Sequence, residues 1–439
     1  MGRSPASTSR CSFWGGGSVR DTAGYAAATY RRGVAHIDFA TTLVNAIDAM
    51  FTLKVAINER WKNRIGAYHP PAAAYGVTQA RRDVVQGPQK ASTEKEPTML
   101  WKSVYVAGTG ADFPRKKPVE EAIDEGLYDP KEAATSQQLS VTVADADNRA
   151  ADFAVRAARQ ALQRSGYEPA DIGMIGHAIV LDAGIPVWNS ASYVQRGIGA
   201  SRCDVVTELR SACAGGVVGL ILASSYLETQ QDHAAALVTT ADCWPPDAID
   251  RWRTVSGAVF GDGGTALLLS RDGGFARVVS TSTATDPELE ALGRGNQSFG
   301  FRGQYPIDLD RRAREFMTTM PSATVWQRRD TAVRTAVDAA TSEAGVKLSD
   351  IDFVVYSFTG RRVLNRECLK PLGLSIDRTL WNFGRTIGHL GAGDTLAGLN
   401  HLVESGRLHP GTRTLLIGLG SGMIWSVAVI ETLAEPRFG

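Results

Sequence analysis

Two stretches of this chain, AVRAARQALQRSGYEPADIGMIGHAIV (residues 154–180) and AVRTAVDAATSEAGVKLSDIDFVVYSF (residues 332–358), decide its fold. Each begins with apolar residues at helical spacing, continues through a glycine and an Asp-Ile turn, and ends in an apolar run. This order predicts a helix, a glycine stop and a buried strand. Because the two stretches repeat the same order, we predict that the chain contains a duplicated unit.

The similarity continues beyond these stretches. Residues 213–241 and residues 391–420 each contain a glycine-rich start, an apolar helix pattern and a strand pattern. Strands that alternate with helices favour an α/β fold with mostly parallel sheets covered by helices. We therefore divide the chain after its first segment into an N-terminal half, 99–271, and a C-terminal half, 272–439.

The first 98 residues differ from the rest in charge and pattern. They contain 13 Lys and Arg against 7 Asp and Glu, whereas the remaining residues contain 34 against 39. Residues 39–61 have the pattern of one amphipathic helix, and the strand pattern of the duplicated unit begins abruptly near Met99. We predict that residues 1–98 are an irregular N-terminal extension, largely disordered or translated from a non-native start. A regulatory or docking segment is the alternative.

Composition excludes several classes of protein. The net charge of +1 gives no overall attraction to nucleic acid or to a membrane surface. The five cysteines are widely spaced and form no Cys-x-x-Cys pair, which argues against a disulfide framework and a zinc site and favours the cytoplasm. The sequence has no run of 18 uninterrupted apolar residues, so we expect no transmembrane helix.

The glycine-rich turns of the two halves contain the candidate catalytic residues. The first turn, SACAGG, contains Cys213, and the second, GHLGAGD, contains His389 and Asp394. Equivalent helices of a duplicated fold pack together across its pseudo-axis, so we expect these three side chains to meet. A helix start stabilises a thiolate, a histidine can take the thiol proton, and a carboxylate can orient that histidine.

Each candidate residue also has a structural interpretation. Cysteine is often a buried packing residue, His389 can be a satisfied core histidine, and Asp394 can be a helix cap. In the catalytic interpretation, backbone N–H groups at Cys213 and at Ser421, in the turn GLGSG (418–422), bind the acyl oxyanion. We expect no metal in this site.

Four motifs in order resemble one family over about residues 100–434. This chain is similar to the ketoacyl-acyl-carrier-protein synthase III family of the thiolase fold. The resemblance implies a five-layered αβαβα architecture, a homodimer, and a Cys213 that accepts an acyl group. The implied substrates are acyl-coenzyme A or the phosphopantetheine thioester of an acyl carrier protein, with no permanently bound cofactor. The motifs are VYVAGTG (104–110), SACAGG (211–216), VFGDGGTALLLS (259–270) and GRLHPGTRTLLIGLGSGMIWSVAVIE (406–431).

The chain departs from the family at its other two catalytic positions. The family's histidine falls on Thr359 and its asparagine falls on His389, so Thr359 is kept only as an auxiliary candidate. Threonine cannot replace an imidazole as a chargeable donor, which argues against standard decarboxylative condensation of malonyl thioesters. The segment that helps the family hold coenzyme A is replaced by residues 128–152, so a carrier-protein donor is at least as plausible as coenzyme A.

A histidine five residues before an aspartate resembles a divergent branch of the family in bacterial polyketide pathways. That branch includes starter-unit selecting proteins and acyltransferases that act on carrier proteins or hydroxyls. We therefore expect an acyltransferase that moves an acyl group through Cys213 to a carrier-protein thiol or a hydroxyl. One alternative is 3-oxoacyl-acyl-carrier-protein synthase activity with His389 alone polarising the malonyl thioester, and another is a non-catalytic ketosynthase partner subunit.

Overall fold

The computed structural model describes residues 98–145, 149–181, 183–185, 187–230, 232–297 and 305–436. Before residue 98 it describes the backbone of five strands. The chain divides into two compact units, Met1–Thr93 and Glu94–Gly439.

The first unit contains five strands. They are β1 (Cys11–Gly15), β2 (His36–Ala40), β3 (Lys54–Glu59), β4 (Trp61–Tyr68) and β5 (Ala73–Gly76). Strand β2 pairs in parallel with both β1 and β5, and β3 pairs antiparallel with β4.

The single helix predicted over residues 39–61 is therefore wrong where these strands lie. In β3, pairing with β4 outweighs the helical spacing of a wider window, because a local apolar pattern does not contain its pairing partner. The prediction of disorder for the rest of residues 1–98 lies outside the described residues.

The second unit contains the remaining strands and all the helices described here. The strands are β6 (Thr98–Leu100), β7 (Tyr105–Asp112), β8 (Lys116–Pro118), β9 (Ser140–Thr142), β10 (Ile172–Ala178), β11 (Val205–Leu209), β12 (Ala235–Asp242), β13 (Gly263–Ser270), β14 (Ala276–Thr285), β15 (Phe353–Val355), β16 (Arg413–Gly420) and β17 (Ile424–Thr432). The α-helices are α1 (Val119–Asp124), α2 (Pro130–Ser136), α3 (Ala150–Ser165), α4 (Ser190–Ile198), α5 (Gly215–Thr229), α6 (Ala291–Arg294), α7 (Leu309–Phe316), α8 (Ser322–Glu343), α9 (Arg361–Leu364), α10 (Lys370–Leu372), α11 (Trp381–Gly384) and α12 (Asp394–Glu404).

The main sheet consists of two halves that repeat one pattern. Its order is β11-β10-β12-β13-β7-β14-β17-β16-β15, and β6 pairs with β14. In the first half, β10 is parallel to β12, and the next two pairings, β12 with β13 and β13 with β7, are antiparallel. In the second half, β15, β16, β17 and β14 follow in the same order with the same orientations. The predicted duplication is therefore visible in the strand pairing.

Helices cover the sheet halves in layers. Helices α3 and α4 pack on the outer face of the first half, and α8 packs on the outer face of the second. Helices α5 and α12 share one apolar core with strands of both halves and form the central layer. This arrangement is the predicted five-layered αβαβα fold, and it places the N-termini of the two duplicate-related helices at its centre.

One helical segment, Ala212–Thr229, is apolar and long enough to cross a membrane by length and composition alone. It contains α5, whose apolar side chains Val217, Leu220 and Leu227 are buried in the central layer. The apolar composition of this segment is therefore that of a core helix in the described fold.

Candidate active site

Cys213 lies in a tight turn between β11 and α5. The turn is the single 3₁₀ turn Ala212–Ala214, and Ala212 has a left-handed backbone with a φ of 46°. A non-glycine residue in this region of φ and ψ is uncommon and strained, and such strain is concentrated at functional sites. The Cys213 side chain is half-buried, so it is not sealed inside the core as an inert packing cysteine would be.

The second half has a matching turn in front of α12. It is the 3₁₀ turn Gly391–Gly393, which follows His389 and leads into Asp394, the first residue of α12. A Cβ on Gly216 would lie 2.7 Å from the carbonyl oxygen of Ala392, so the starts of α5 and α12 meet at their backbones. Only glycine permits this separation, which brings the two halves' candidate residues together.

The three candidate side chains form one hydrogen-bonded chain. The Cys213 Sγ lies 3.0 Å from Nε2 of His389, and Nδ1 of His389 lies 2.5 Å from Oδ2 of Asp394. His389 and Asp394 are both buried. One imidazole therefore bridges a thiol and a carboxylate, which is the geometry of an activated nucleophile, its base and the group that orients the base.

Backbone donors fix the carboxylate of Asp394. The N–H of Phe358 donates to Oδ2 at 2.8 Å, and the N–H of Leu390 donates to Oδ1 at 2.7 Å. Because both oxygens are engaged, the carboxylate is held in one orientation towards His389.

His389 is also held by its own backbone and by an aromatic ring. Its N–H donates to the carbonyl of Val259 at 2.8 Å, and its carbonyl accepts from the N–H of Gly261 at 3.0 Å. The intervening Phe260 has its ring 5.3 Å from the imidazole, and Trp244 packs on Phe260 at 4.5 Å. The VFGDGG segment therefore positions the candidate base, and it contacts His389 through Phe260.

Electrostatics favour the charged form of this histidine. Burial acts to lower the pKa of His389, but the charge of Asp394, the Cys213 sulfur and the hydrogen bonds to both hold that pKa well above its usual range. A positively charged imidazole beside Cys213 stabilises negative charge on the sulfur, which is the reactive form of cysteine.

The two remaining candidates are Thr359, the auxiliary residue, and Ser421, whose backbone is a candidate for binding the oxyanion. Thr359 follows Phe358, whose N–H donates to Asp394. It is buried, and its hydroxyl has no hydrogen-bond partner among the described residues. Ser421 directly follows Gly420, where an added Cβ would lie 2.3 Å from the carbonyl oxygen of Ser211 in the nucleophile turn. Its side chain is exposed, so only its backbone N–H remains a candidate for binding an oxyanion.

Sequence reasoning missed two residues of this site. Phe260 was identified only as part of a structural motif, and Asp242, the last residue of β12, was not singled out at all. A buried strand that ends in an aspartate was the only signal for Asp242, because its contacts are with the backbone of distant segments. Within the described part of the chain, no group of three or more histidine, cysteine, aspartate or glutamate side chains could hold a metal ion.

Family models match three parts of the chain. Residues 207–287 match 3-oxoacyl-acyl-carrier-protein synthase III, and residues 341–432 match the C-terminal part of the same family. Residues 7–83 match the N-terminal part of 3-dehydroquinate synthase, a similarity that sequence reasoning missed.

Known proteins and solved structures are similar to the chain over about three quarters of its length. A solved acyltransferase named ChlB3 is 31% identical, with a TM-score of 0.74, and the match covers 77% of this chain and all of that one. The beta-ketoacyl-acyl-carrier-protein synthase III of Thermosynechococcus vestitus is 27% identical over 76% of this chain and 99% of that relative. The corresponding enzyme of Rhizorhabdus wittichii is 28% identical over 74% and 98%.

A more distant structure supports the fold alone. The synthase III of Pseudomonas aeruginosa is 20% identical with a TM-score of 0.62, and the match covers 76% of this chain and all of that one.

Proposed function

The chain belongs to the 3-oxoacyl-acyl-carrier-protein synthase III family and is an acyl-transferring enzyme, and within this family we propose that it is a ping-pong acyltransferase. The observation that carries this proposal is the single imidazole of His389, which bridges the Cys213 thiol and the Asp394 carboxylate. A histidine oriented in this way can serve both the acylation and the release of an acyl group.

In the first half-reaction, the proton of Cys213 is held on Nε2 of His389, whose raised pKa favours the imidazolium beside a Cys213 thiolate. The thiolate attacks the carbonyl carbon of the donor thioester, and the N–H groups of Cys213 and Ser421 stabilise the resulting oxyanion. The C–S bond of the donor then breaks, the acyl group stays on Cys213, and His389 returns the proton to the departing thiol.

In the second half-reaction, an acceptor thiol or hydroxyl replaces the departed thiol. His389 takes its proton, the acceptor attacks the Cys213 thioester, and the sulfur leaves with the proton that His389 returns. Asp394 stabilises the imidazolium formed in each half-reaction. Transfer between a thioester and a thiol or hydroxyl is redox-neutral, so the reaction requires no resident cofactor.

The substrates follow from the family and from this chain's departures. The donor is an acyl-coenzyme A or an acyl carrier protein, and the acceptor is a carrier-protein thiol or a hydroxyl. We place the reaction in a bacterial polyketide or other secondary-metabolite pathway, supported by the GHLGAGD turn of residues 388–394 and the similarity to ChlB3 acyltransferase. We also place the protein in the cytoplasm, since Cys203, Cys213, Cys243 and Cys368 are all free.

A homodimer fits the open edge of the sheet. Strand β11 pairs with β10 on one side and with no other described strand, and Val205 at its start is exposed. A cavity of about 480 Å³ beside this strand is lined partly by Ile185 and Trp188. An unpaired edge next to apolar side chains is suited to pairing with the same strand of a second copy.

Intact-mass analysis tests the acyltransferase. The full chain is incubated with acyl-coenzyme A and acyl-carrier-protein donors, and the expected adduct is present in wild type and in Cys243→Ala but absent in Cys213→Ala. Carrier-protein thiols and simple alcohols should then remove the adduct. A ketoacyl product formed with malonyl carrier protein would instead support condensation, and no adduct with any donor would support the partner-subunit alternative.

A further inference from the structure

A second buried carboxylate, that of Asp242, lies against the turn that connects His389 to Asp394. Asp242 ends β12, and its Oδ1 accepts hydrogen bonds from the N–H groups of Val180 at 2.9 Å and Leu181 at 3.0 Å. The backbone N–H of Ala392, in the turn that follows His389, also faces this carboxylate and acts to lower its pKa. Asp242 therefore joins the segment after β10 to the turn between His389 and Asp394.

The backbone of this turn is shaped around the carboxylate. Gly391 has a φ of 64°, and an added Cβ would lie 2.7 Å from Oδ2 of Asp242. A side chain at this position would be strained and would also displace the carboxylate. The close approach is thus built into the sequence GHLGAGD.

Ala392 connects Asp242 to the nucleophile. On its other side, Ala392 faces the start of α5, where a Cβ on Gly215 would lie 3.0 Å from the Ala392 Cβ. A Cβ on Gly216 would likewise lie 2.7 Å from the carbonyl oxygen of Ala392. The position of Ala392 therefore sets the separation between the Cys213 turn and the His389 turn.

We propose that Asp242 is a positioning residue for His389, whose carboxylate fixes Ala392 and with it the alignment of His389 on Cys213. A carboxylate serves here where an amide would not, because N–H groups approach both of its oxygens and asparagine has only one acceptor oxygen. Asp242 is 2% exposed, and no positively charged side chain is hydrogen-bonded to it among the described residues. Such a carboxylate is costly to bury, so a purely structural role is weakly motivated.

The electrostatic surroundings of Asp242 agree with this role. Burial raises the pKa of Asp242 to about 7, while the hydrogen bonds from Val180, Leu181 and Ala392 and the charge of His389 act to lower it. The other ionisable group that acts on it is Cys243, and those that act on His389 are Asp394 and Cys213. The positive charge of His389 therefore favours the ionised form of Asp242, the form that accepts the backbone hydrogen bonds.

Alkylation of Cys213 by iodoacetamide tests this role without any acyl donor. The inference rests on the proposed role of His389 as the base, but this probe reports thiolate alignment even if no acyl adduct is found. Intact mass and peptide mapping follow the rate at Cys213 against pH in wild type, Asp242→Asn and the control Asp152→Asn. Asp152 is a partly buried carboxylate that accepts from Tyr193 in the α3–α4 region, away from the site.

We expect Asp242→Asn to alkylate about 10- to 100-fold more slowly near neutral pH, since a small misplacement of a catalytic group has effects of that size. Its alkylation profile should also move to higher pH, because a misaligned imidazolium stabilises the Cys213 thiolate less well. Asp152→Asn should react like wild type. If Asp242→Asn does not fold, Gly391→Ala tests the same contact and should show the same slowing and shift. Wild-type rates and profiles in the folded Asp242→Asn or Gly391→Ala variant would overturn the inference.

Discussion

Asp394→Asn should separate an orienting carboxylate from a helix cap. Asparagine nearly preserves the shape but removes the charge next to His389. In the wild type, Asp394 accepts from Nδ1 of His389 and from the N–H groups of Phe358 and Leu390, which lie on opposite oxygens. An asparagine has one acceptor oxygen, so its NH2 group must face at least one donor that the carboxylate now satisfies.

Two effects of this substitution are expected. Breaking a buried charged pair by removing one partner costs about 3–5 kcal/mol, which corresponds to a rate loss of roughly 100-fold or more where the pair holds His389 in its reactive alignment. A buried N–H left without an acceptor costs about 1–3 kcal/mol, so the folded state should also be less stable by that amount. The loss in rate should therefore exceed what the loss in stability explains.

A single-turnover assay measures the first effect. The variant and wild type are mixed with a thioester donor that acylates the wild type, quenched, and compared by intact mass, while thermal unfolding gives the stability. Asp152→Asn again serves as the control, because it removes a hydrogen-bonded carboxylate outside the site. A folded Asp394→Asn variant that acylates within about threefold of wild type, ~0.6 kcal/mol, would refute the orienting role and leave Asp394 as a helix cap.

Three further predictions follow from the described contacts. His389→Ala should slow acylation by at least about 100-fold, whereas Thr359→Ala should change it by less than about tenfold, since removal of a general base has the larger effect; equal losses in the quenched acylation assay would show that the base was misassigned. Burial lowers the pKa of His177 to about 4, so between pH 6.5 and about 4 the unfolded chain binds a proton there that the folded chain does not. Denaturant unfolding should therefore show that wild type loses about 3 kcal/mol relative to His177→Gln across that range, and parallel pH curves would contradict this cause. Gly216→Ala puts a methyl 2.7 Å from the Ala392 carbonyl oxygen, so we expect a loss of about 1–3 kcal/mol in unfolding free energy and slower acylation. Wild-type values of both quantities would show that the starts of α5 and α12 can move apart at little cost in free energy.

The duplicated architecture was predictable because its signals are local. Helical spacing, the glycine stops and the apolar strands of residues 154–180 and 332–358 are properties of neighbouring residues. The same locality explains the error in residues 39–61, where a helical pattern was assigned and the structure contains β3. Strand pairing depends on a partner, and a short window does not contain that partner.

The candidate catalytic residues follow from combining local motifs with the symmetry of a duplicated fold. That reasoning named Cys213, His389 and Asp394, and the structure places them in hydrogen-bond contact. Their chemical roles remain proposals, which the acylation assays test.

The sequence by itself determined which residues can be nucleophile, base and orienting carboxylate, because those capacities belong to side-chain types and to the helix starts that contain them. Only the tertiary structure decided how they are held: Phe260 beside the imidazole, and Asp242 against Ala392. Asp242 lies 147 positions before His389 in the chain. Backbone N–H groups are present in every residue, so no sequence pattern marks the ones that will converge on a buried carboxylate.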